Sequence, residues 1–323
     1  MSSITKPKPD QADIERIVEH TFGKQTRIIK VEEVHGGFFN AAYWLTLDGG
    51  KEYIMKIAPS PIIRVLRFEE KIIETEVMVS NLLAEKGFPV PRIHWFDQTG
   101  EILANDYLIM EKMDGVPLSI CRSRLTVEEQ RMIDLEIGRY TRKINEIQGD
   151  KFGHFLNPNK QSKSWRKVFD TRITDILQDG IDLGVILPLG YQDIYDLLKD
   201  SFHTLNLVIQ PSLVHYDLWD GNVLINERKE ISGLVDCERA FWGDPLMETN
   251  FASFAVQPSF LEGYGTDLLA DDIHRRRRFL YDIYHFLVAS IEVTNRQYEN
   301  RDYEIWANEN LMTCLNKLKE SRV

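Results

Sequence analysis

Cysteine is scarce in this 323-residue chain. Its three, Cys121, Cys237 and Cys314, lie far apart with no C-x-x-C pair, which excludes a disulfide framework and a structural zinc site and points to a reducing compartment. No apolar run approaches the roughly eighteen residues that a membrane span needs. The opening residues, MSSITKPKPDQADIE, hold no apolar stretch of the kind a secretory signal requires. A cytoplasmic protein with no membrane partner is the expectation. Positive charge is also short: 39 Lys and Arg face 50 Asp and Glu, a net −11. That disfavours nucleic acid, whose binding needs a basic face to release counterions. An acidic balance suits a cationic small molecule, although it serves solubility equally well. Internal repeats and low-complexity linkers are missing too.

The elements that are present divide the chain in two. Residues 1–9 are polar and proline-bearing and read as a loose tail. Asp10 to Phe22 carries Ile14, Ile17, Val18 and Phe22 at helical spacing and stops at Gly23. Strand patterns follow over 27–34, 41–47 and 51–58, the last two joined by Asp48-Gly49-Gly50 as a hairpin. A helix is expected over 68–86, then strands over 92–97 and 107–110 and a turn at Asp114-Gly115. Beyond it the patterns are helical, over 127–148, 165–178, 192–207, 274–294 and 303–319. The expected fold class is therefore α+β and two-lobed. A small N-terminal lobe (1–113) has an antiparallel sheet and one helix besides the N-terminal one, and a larger, mainly helical lobe (114–323) follows.

One stretch of the second lobe is not helical. Leu213 to Asn226 and its continuation to Asp236 read as three short apolar strands around a polar turn holding His215, Asp217 and Asn222. A carboxylate and an amide five residues apart, with a second carboxylate ending a strand, suit phosphoryl transfer. Asp217 would accept the proton of a hydroxyl, and Asn222 and Asp236 would hold Mg²⁺ by oxygen. His215 reads as a residue that fixes the loop.

The first lobe supplies candidates for the nucleotide half. Gly36 and Gly37, in His35-Gly36-Gly37-Phe38-Phe39-Asn40, would let backbone N–H groups approach phosphates, although two glycines between strands also make an ordinary turn. Lys56, flanked by apolar residues on a strand, suits a cation on the phosphates held by a helix carboxylate. Of Glu69, Glu70, Glu74 and Glu76, the packing residues around it favour Glu76, with Glu74 as the fallback. Sheet-edge backbone at Glu111 (carbonyl) and Met113 (N–H) would meet a purine. The Gly-Gly, strand Lys, helix Glu, hinge, loop Asp/Asn and terminal Asp fall in order on the element types their roles demand, and that joint consistency carries more weight than any one motif.

These residues resemble the aminoglycoside phosphotransferase (APH) family within the protein-kinase-like superfamily. The resemblance rests on His215-Tyr-Asp217-Leu-Trp-Asp-Gly-Asn222 with Val235-Asp236-Cys-Glu238, and it extends to Gly36-Gly37-x-x-Asn40-x-x-Tyr43, Pro89-Val90-Pro91 and Trp242-Gly243-Asp244-Pro245. The wording Asp-Leu-Trp-x-Gly-Asn is also similar to fructosamine kinases. It implies a kinase-like fold, ATP or GTP as donor, Mg²⁺, and transfer of the γ-phosphoryl to a small-molecule hydroxyl. It also implies that Asp244 supports the catalytic loop, the plainer alternative being a helix N-cap before Pro245. Tyr216 departs from the glycine common in the family, and Cys237 stands where protein kinases have phenylalanine. No Ala-Pro-Glu segment follows Asp236, which argues against protein-kinase activity. The acceptor is either an antibiotic such as an aminoglycoside or a metabolic sugar or amino alcohol. A non-catalytic nucleotide-binding scaffold is disfavoured by the intact Lys56, Asp217, Asn222 and Asp236. Glu238, Glu262, Glu292, Glu299, Asp302 and Glu304 would line a site for a cationic amine, or form solvated helix faces. The basic run His274–Arg278 reads as a solvated or ion-paired helix face.

Overall fold

A computed structural model describes residues 3–35, 37 and 39–321. The first helix, α1 (Gln11–Phe22), starts at a capping box between Asp10 and Asp13 and ends at Gly23. Its buried Ile14, Ile17 and Val18 pack on one face of a five-stranded antiparallel sheet. The strands are β1 (Ile28–Glu33), β2 (Ala41–Leu47), β3 (Glu52–Ile57), β4 (Ile93–Asp97) and β5 (Tyr107–Glu111), in the order β1-β2-β3-β5-β4. Strict alternation of burial along β2 and β3 follows from the period of two that their apolar residues show. Helix α2 (Ile72–Glu85) packs against the other face.

Two expectations for this lobe change. Helix α2 begins at Ile72 rather than 68, because Lys71 adopts φ +58° and the Glu69 side chain bends back to accept the Leu66 N–H at 2.9 Å. The tail is also not loose over its described part. Thr5 is fully buried and donates its hydroxyl to the Phe39 carbonyl at 2.9 Å, and the Ile4 N–H reaches the Arg296 carbonyl at 3.4 Å. The chain start thus straps the segment after Gly37 to the second lobe.

The connection runs through Gly115, where φ is +112° and an added Cβ would lie 2.8 Å from the Ile225 carbonyl oxygen. Only glycine fits both conditions. A two-residue strand, β6 (Val116–Pro117), and a single turn, α3 (Leu118–Cys121), lead into α4 (Val127–Asn145), whose start carries a capping box between Thr126 and Glu129. Then come β7 (Phe152–Gly153), β8 (Gln161–Ser162), α5 (Trp165–Asp182) and α6 (Tyr191–Lys199). The helix expected over 192–207 breaks at Lys199. There the buried Ser201 receives Arg276 at 2.9 Å, and the chain continues as a 3-10 turn over Phe202–Leu207.

The non-helical insert forms β9 (Ser212–Val214), β10 (Val223–Ile225), β11 (Ile231–Leu234) and β12 (Phe241–Gly243). β10 pairs with β11 and β6, while β12 pairs with β9 and β7. Helix α7 (Pro258–Tyr264), with no expectation in the sequence, lies on α4. Gly138 and Gly263 face the backbone of Phe260 and Leu135 so closely that any side chain would collide. Helices α8 (Asp272–Asn295) and α9 (Asp302–Glu320) complete the fold. The main core gathers Trp165, Phe169, Phe202, Phe241, Tyr281 and Tyr284, and it reaches the first lobe through Val79 and Leu83 of α2 against Cys237. None of the described helices is long and apolar enough to cross a membrane.

Candidate active site

Lys56 is interior to β3, paired with Ala42 on one side and Leu108 on the other. Its ammonium is the centre of the cleft: Nζ donates to Glu76 Oε1 at 2.6 Å and to Asp236 Oδ1 at 2.7 Å. Glu76 is fully buried because the α2 residues 72, 73, 76, 79, 80 and 83 form its inward face. Glu74 lies off that face, 3.8 Å from Lys71. Burial opposes the charge on Lys56, but Asp236 and Glu76 together hold its pKa well above the usual value. Burial likewise opposes ionisation of Asp236, and Lys56 still holds its pKa below the ordinary carboxylate range. Both stay charged at neutral pH.

Asp236 sits at φ +67°, which turns the chain sharply after β11 and aims the carboxylate back at β3. Ligand atoms of Glu76, Asp236 and Glu238 lie within 4.8 Å of one another. Glu238 is buried and accepts Asn40 Nδ2 at 2.5 Å. Asn40 therefore joins the glycine-bearing segment to the turn after Asp236. At Gly37 an added Cβ would meet nothing nearer than the Asn40 oxygen at 3.9 Å. Gly36 lies outside the described residues.

Next to Asp236, where the Asn222 carbonyl accepts the Val235 N–H at 3.0 Å, Asn222 Nδ2 donates to the Asp217 carbonyl at 2.7 Å and to Asp217 Oδ2 at 3.2 Å. Burial pushes the Asp217 carboxyl up to about 7, with the charge of Arg239 pulling the other way. His215 is buried, its pKa lowered to about 4 chiefly by burial, so the ring is neutral and Nδ1 accepts the Asp217 N–H at 3.3 Å. That is the fixing role its position suggests.

Of the two roles expected for Asp244, the structure shows the cap before Pro245. Asp244 caps the turn at Pro245 through the Leu246 N–H at 3.1 Å and binds Tyr281 and Arg277 of α8, each at 2.6 Å. The loop itself hangs on Glu248. This fully buried carboxylate accepts the His215 and Tyr216 N–H groups at 2.9 Å each and Asn145 Nδ2 at 3.0 Å. Glu248→Gln places an amide NH₂ against backbone donors and should lower unfolding free energy by about 1–3 kcal/mol. A chemical-denaturation midpoint equal to wild type would remove Glu248 from this role.

Tyr216 explains the glycine common at its position: its φ is +69°. A side chain there costs about 1–2 kcal/mol. Burial of the ring against Phe241 and Tyr284 offsets that cost.

Two further expectations shift. β5 is an interior strand, so Glu111 is not at a sheet edge; its N–H goes to the Arg92 carbonyl at 2.9 Å and the Lys112 N–H to the Glu52 carbonyl at 3.4 Å. Three of the six acidic side chains proposed for a cationic ligand are paired with arginine: Glu262 with Arg131, Glu292 with Arg239 and Arg296, and Glu304 with Arg301. The basic run on α8 is occupied in the same way. His274, Arg275, Arg277 and Arg278 pair with Asp271, Asp272, Asp244 and Asp282, and Arg276 binds Ser201. Arg239, whose charge acts on Asp217, had no signal in the sequence beyond its closeness to Asp236.

A model of the phosphotransferase enzyme family, APH, matches residues 30–280. The chain belongs to this family. Among curated relatives, "Probable ketoamine kinase" of Vibrio cholerae is 26% identical over 277 residues, 82% of this chain and 87% of its own length. "Protein-ribulosamine 3-kinase, chloroplastic" of Arabidopsis thaliana is 26% identical over 301 residues, 83% of this chain and 78% of that protein. Among solved structures, aminoglycoside phosphotransferase APH(4)-Ia superposes with a TM-score of 0.67 at 17% identity, covering 95% of this chain and 99% of that one. A ternary complex of a thermostable mutant of that protein holds AMP-PNP and hygromycin B. This member of the APH family is a kinase of small molecules on a protein-kinase-like fold.

Proposed function

We propose that this APH-family enzyme phosphorylates a sugar hydroxyl of a ketoamine. The observation that carries the chemistry is the cluster of charges in which Lys56 bridges Glu76 and Asp236 while Asn222, bonded to Val235, holds Asp217. Lys56 is placed to bind donor phosphates, with Glu76 fixing its direction. Gly37 and its neighbour Gly36 would let backbone approach those phosphates, Asn40 steadies that segment, and the Glu111 carbonyl and Met113 N–H would meet the purine.

The donor set for Mg²⁺ is oxygen only, as a hard cation requires. Asn222 spends its Nδ2 on Asp217, which leaves the amide oxygen for the metal, and Asp236 gives one oxygen to Lys56 and keeps the other. When bound there, Mg²⁺ neutralises charge on the phosphate oxygens. The acceptor oxygen forms its bond to the γ-phosphorus as the bond to the β,γ-bridging oxygen breaks. Asp217 takes the hydroxyl proton on the carboxylate oxygen that Asn222 does not hold.

Two observations favour a ketoamine over an aminoglycoside. The curated relatives named for ketoamines align along most of both chains. An aminoglycoside carries several ammonium groups and needs unpaired carboxylates, whereas Glu292 near Asp217 is shared by two arginines. The test is an ADP-release screen of the purified enzyme with Mg-ATP over fructosyl- and ribulosyl-amines, aminoglycosides, macrolides and free sugars. Turnover of the ketoamines above all other classes is expected, and turnover confined to antibiotics would overturn the reading.

A further inference from the structure

The chain start, the end of α8 and the segment entering β2 meet at one point between the lobes. A helix ends on carbonyls that have no partner within it, and at the end of α8 the Ile4 N–H takes the one on Arg296 at 3.4 Å. One residue on, the buried Thr5 hydroxyl donates to the Phe39 carbonyl at 2.9 Å and lies 2.8 Å from Ser3 Oγ. The Pro7 carbonyl then accepts the Tyr43 hydroxyl at 3.4 Å, so residues 4–7 run alongside 39–43. That stretch borders the donor half of the site: Ala42, two residues beyond Asn40, pairs with Lys56.

The same point carries charge across the lobe boundary. Arg296 is buried, and its Nη2 binds Glu69 Oε1 at 2.6 Å and Glu292 Oε2 at 3.0 Å. Its guanidinium lies 5.3 Å from the centre of the buried Phe39 ring, within cation–π range. Glu69 and Phe39 belong to the first lobe, Arg296 and Glu292 to the second. Asn40 crosses in the same direction to Glu238. Water can replace polar contacts of this kind at small net cost, whereas an apolar seam has to expose its surface to open. The apolar contact of Val79 and Leu83 with Cys237 therefore suits the fixed side of the lobe interface, and the Thr5–Arg296 side suits the one that opens.

We infer that residues 4–7 and Arg296 form a clasp on the donor site, which holds the segment from Phe39 into β2 in place beside Lys56 and releases it when nucleotide leaves. The inference rests on the donor reading above, with phosphates at Lys56 and Gly37. Thr5 and Arg296 touch no reacting group; they are positioning residues that act through Phe39 and its neighbour Asn40. Only the clasped form binds phosphate fully, so apparent nucleotide affinity scales with the clasped fraction, and nucleotide release follows the rate of opening.

The experiment uses full-length enzyme with Mg-ADP in calorimetry and a fluorescent N-methylanthraniloyl-ADP in stopped-flow release. Thr5→Val is close to threonine in size and removes the hydroxyl. Its Kd for Mg-ADP is expected to be at least fivefold above wild type, carried by faster release, while Thr5→Ser, which keeps the hydroxyl, stays within twofold of wild type. A bond that serves stability alone would lower the melting temperature of Thr5→Val and leave both nucleotide constants unchanged, and that result overturns the inference. Wild type provides an independent reading by hydrogen exchange: saturating Mg-ADP should slow the amides of residues 4–6 together with those of 40–42. Exchange at residues 4–6 that is indifferent to nucleotide also overturns the inference and leaves the donor reading standing. Wild type that binds no Mg-ADP sinks the donor reading itself, and the clasp with it.

Discussion

The Asp217→Asn enzyme is expected to bind ATP as wild type does and to turn over about a thousandfold more slowly, within the 10²–10⁴ range that a positioned acid–base group contributes. Asparagine matches the shape of aspartate and keeps an oxygen for the Asn222 amide, so the loop geometry should survive. What it loses is the ability to take a proton. The environment of Asp217 is built for that role: burial lifts the carboxyl to about 7 and Arg239 limits the rise, so the group stands near the working pH. Glu248 and His215 hold the backbone on either side, which separates placing the base from the base itself. Steady-state kinetics with saturating acceptor, together with calorimetry of ATP binding, give the two numbers needed. A kcat within tenfold of wild type would show that the acceptor hydroxyl loses its proton elsewhere. The melting temperature should not fall, because the change removes a buried charge whose desolvation is unfavourable.

Some of this site was legible from spacing alone. Glu76 stands out because the α2 periodicity puts 72, 73, 76, 79 and 83 on one face, and a carboxylate on a buried face opposite a strand lysine needs that lysine. The sheet strands were legible because β2 and β3 alternate cleanly. Glu248 was not: it follows a turn with no periodic pattern, and its three partners come from α4 and from the loop itself, up to 103 residues away. The Arg296–Glu69 pair, 227 residues apart and buried at both ends, is hidden for the same reason, as is the strap that Thr5 makes on Phe39. Periodicity reports which face of an element is buried. Pairing across the fold depends on how elements are stacked, and single charged residues carry no sign of that. The expectation of acidic side chains for a cationic ligand shows the converse: the carboxylates were visible, but the arginines that neutralise three of the six come from other turns and other elements.

Asp236→Asn should separate stability from activity more sharply than any other single change. Asparagine tolerates φ +67° and keeps an oxygen for Lys56, so neither the turn after β11 nor the ion pair with Glu76 is disturbed. The substitution also removes one of three carboxylates whose ligand atoms lie within 4.8 Å, with Lys56 the ammonium bonded to two of them. Against the effect of burial, Lys56 nevertheless favours the ionised carboxylate, whose pKa it holds below the ordinary range, so losing the charge should lower the melting temperature modestly. Activity should fall by a factor on the order of 10³ or more, since a metal centred on transferring phosphate stabilises the transition state by several kcal/mol. Calorimetry of ATP with and without Mg²⁺ is the direct measurement. In wild type the cation should tighten ATP binding, and in Asp236→Asn it should make little difference. A variant whose affinity still rises with Mg²⁺ as in wild type would place the metal on other residues. Glu238 would then be the first to test, because it is the third carboxylate of the cluster and is tied through Asn40 to the glycine-bearing segment.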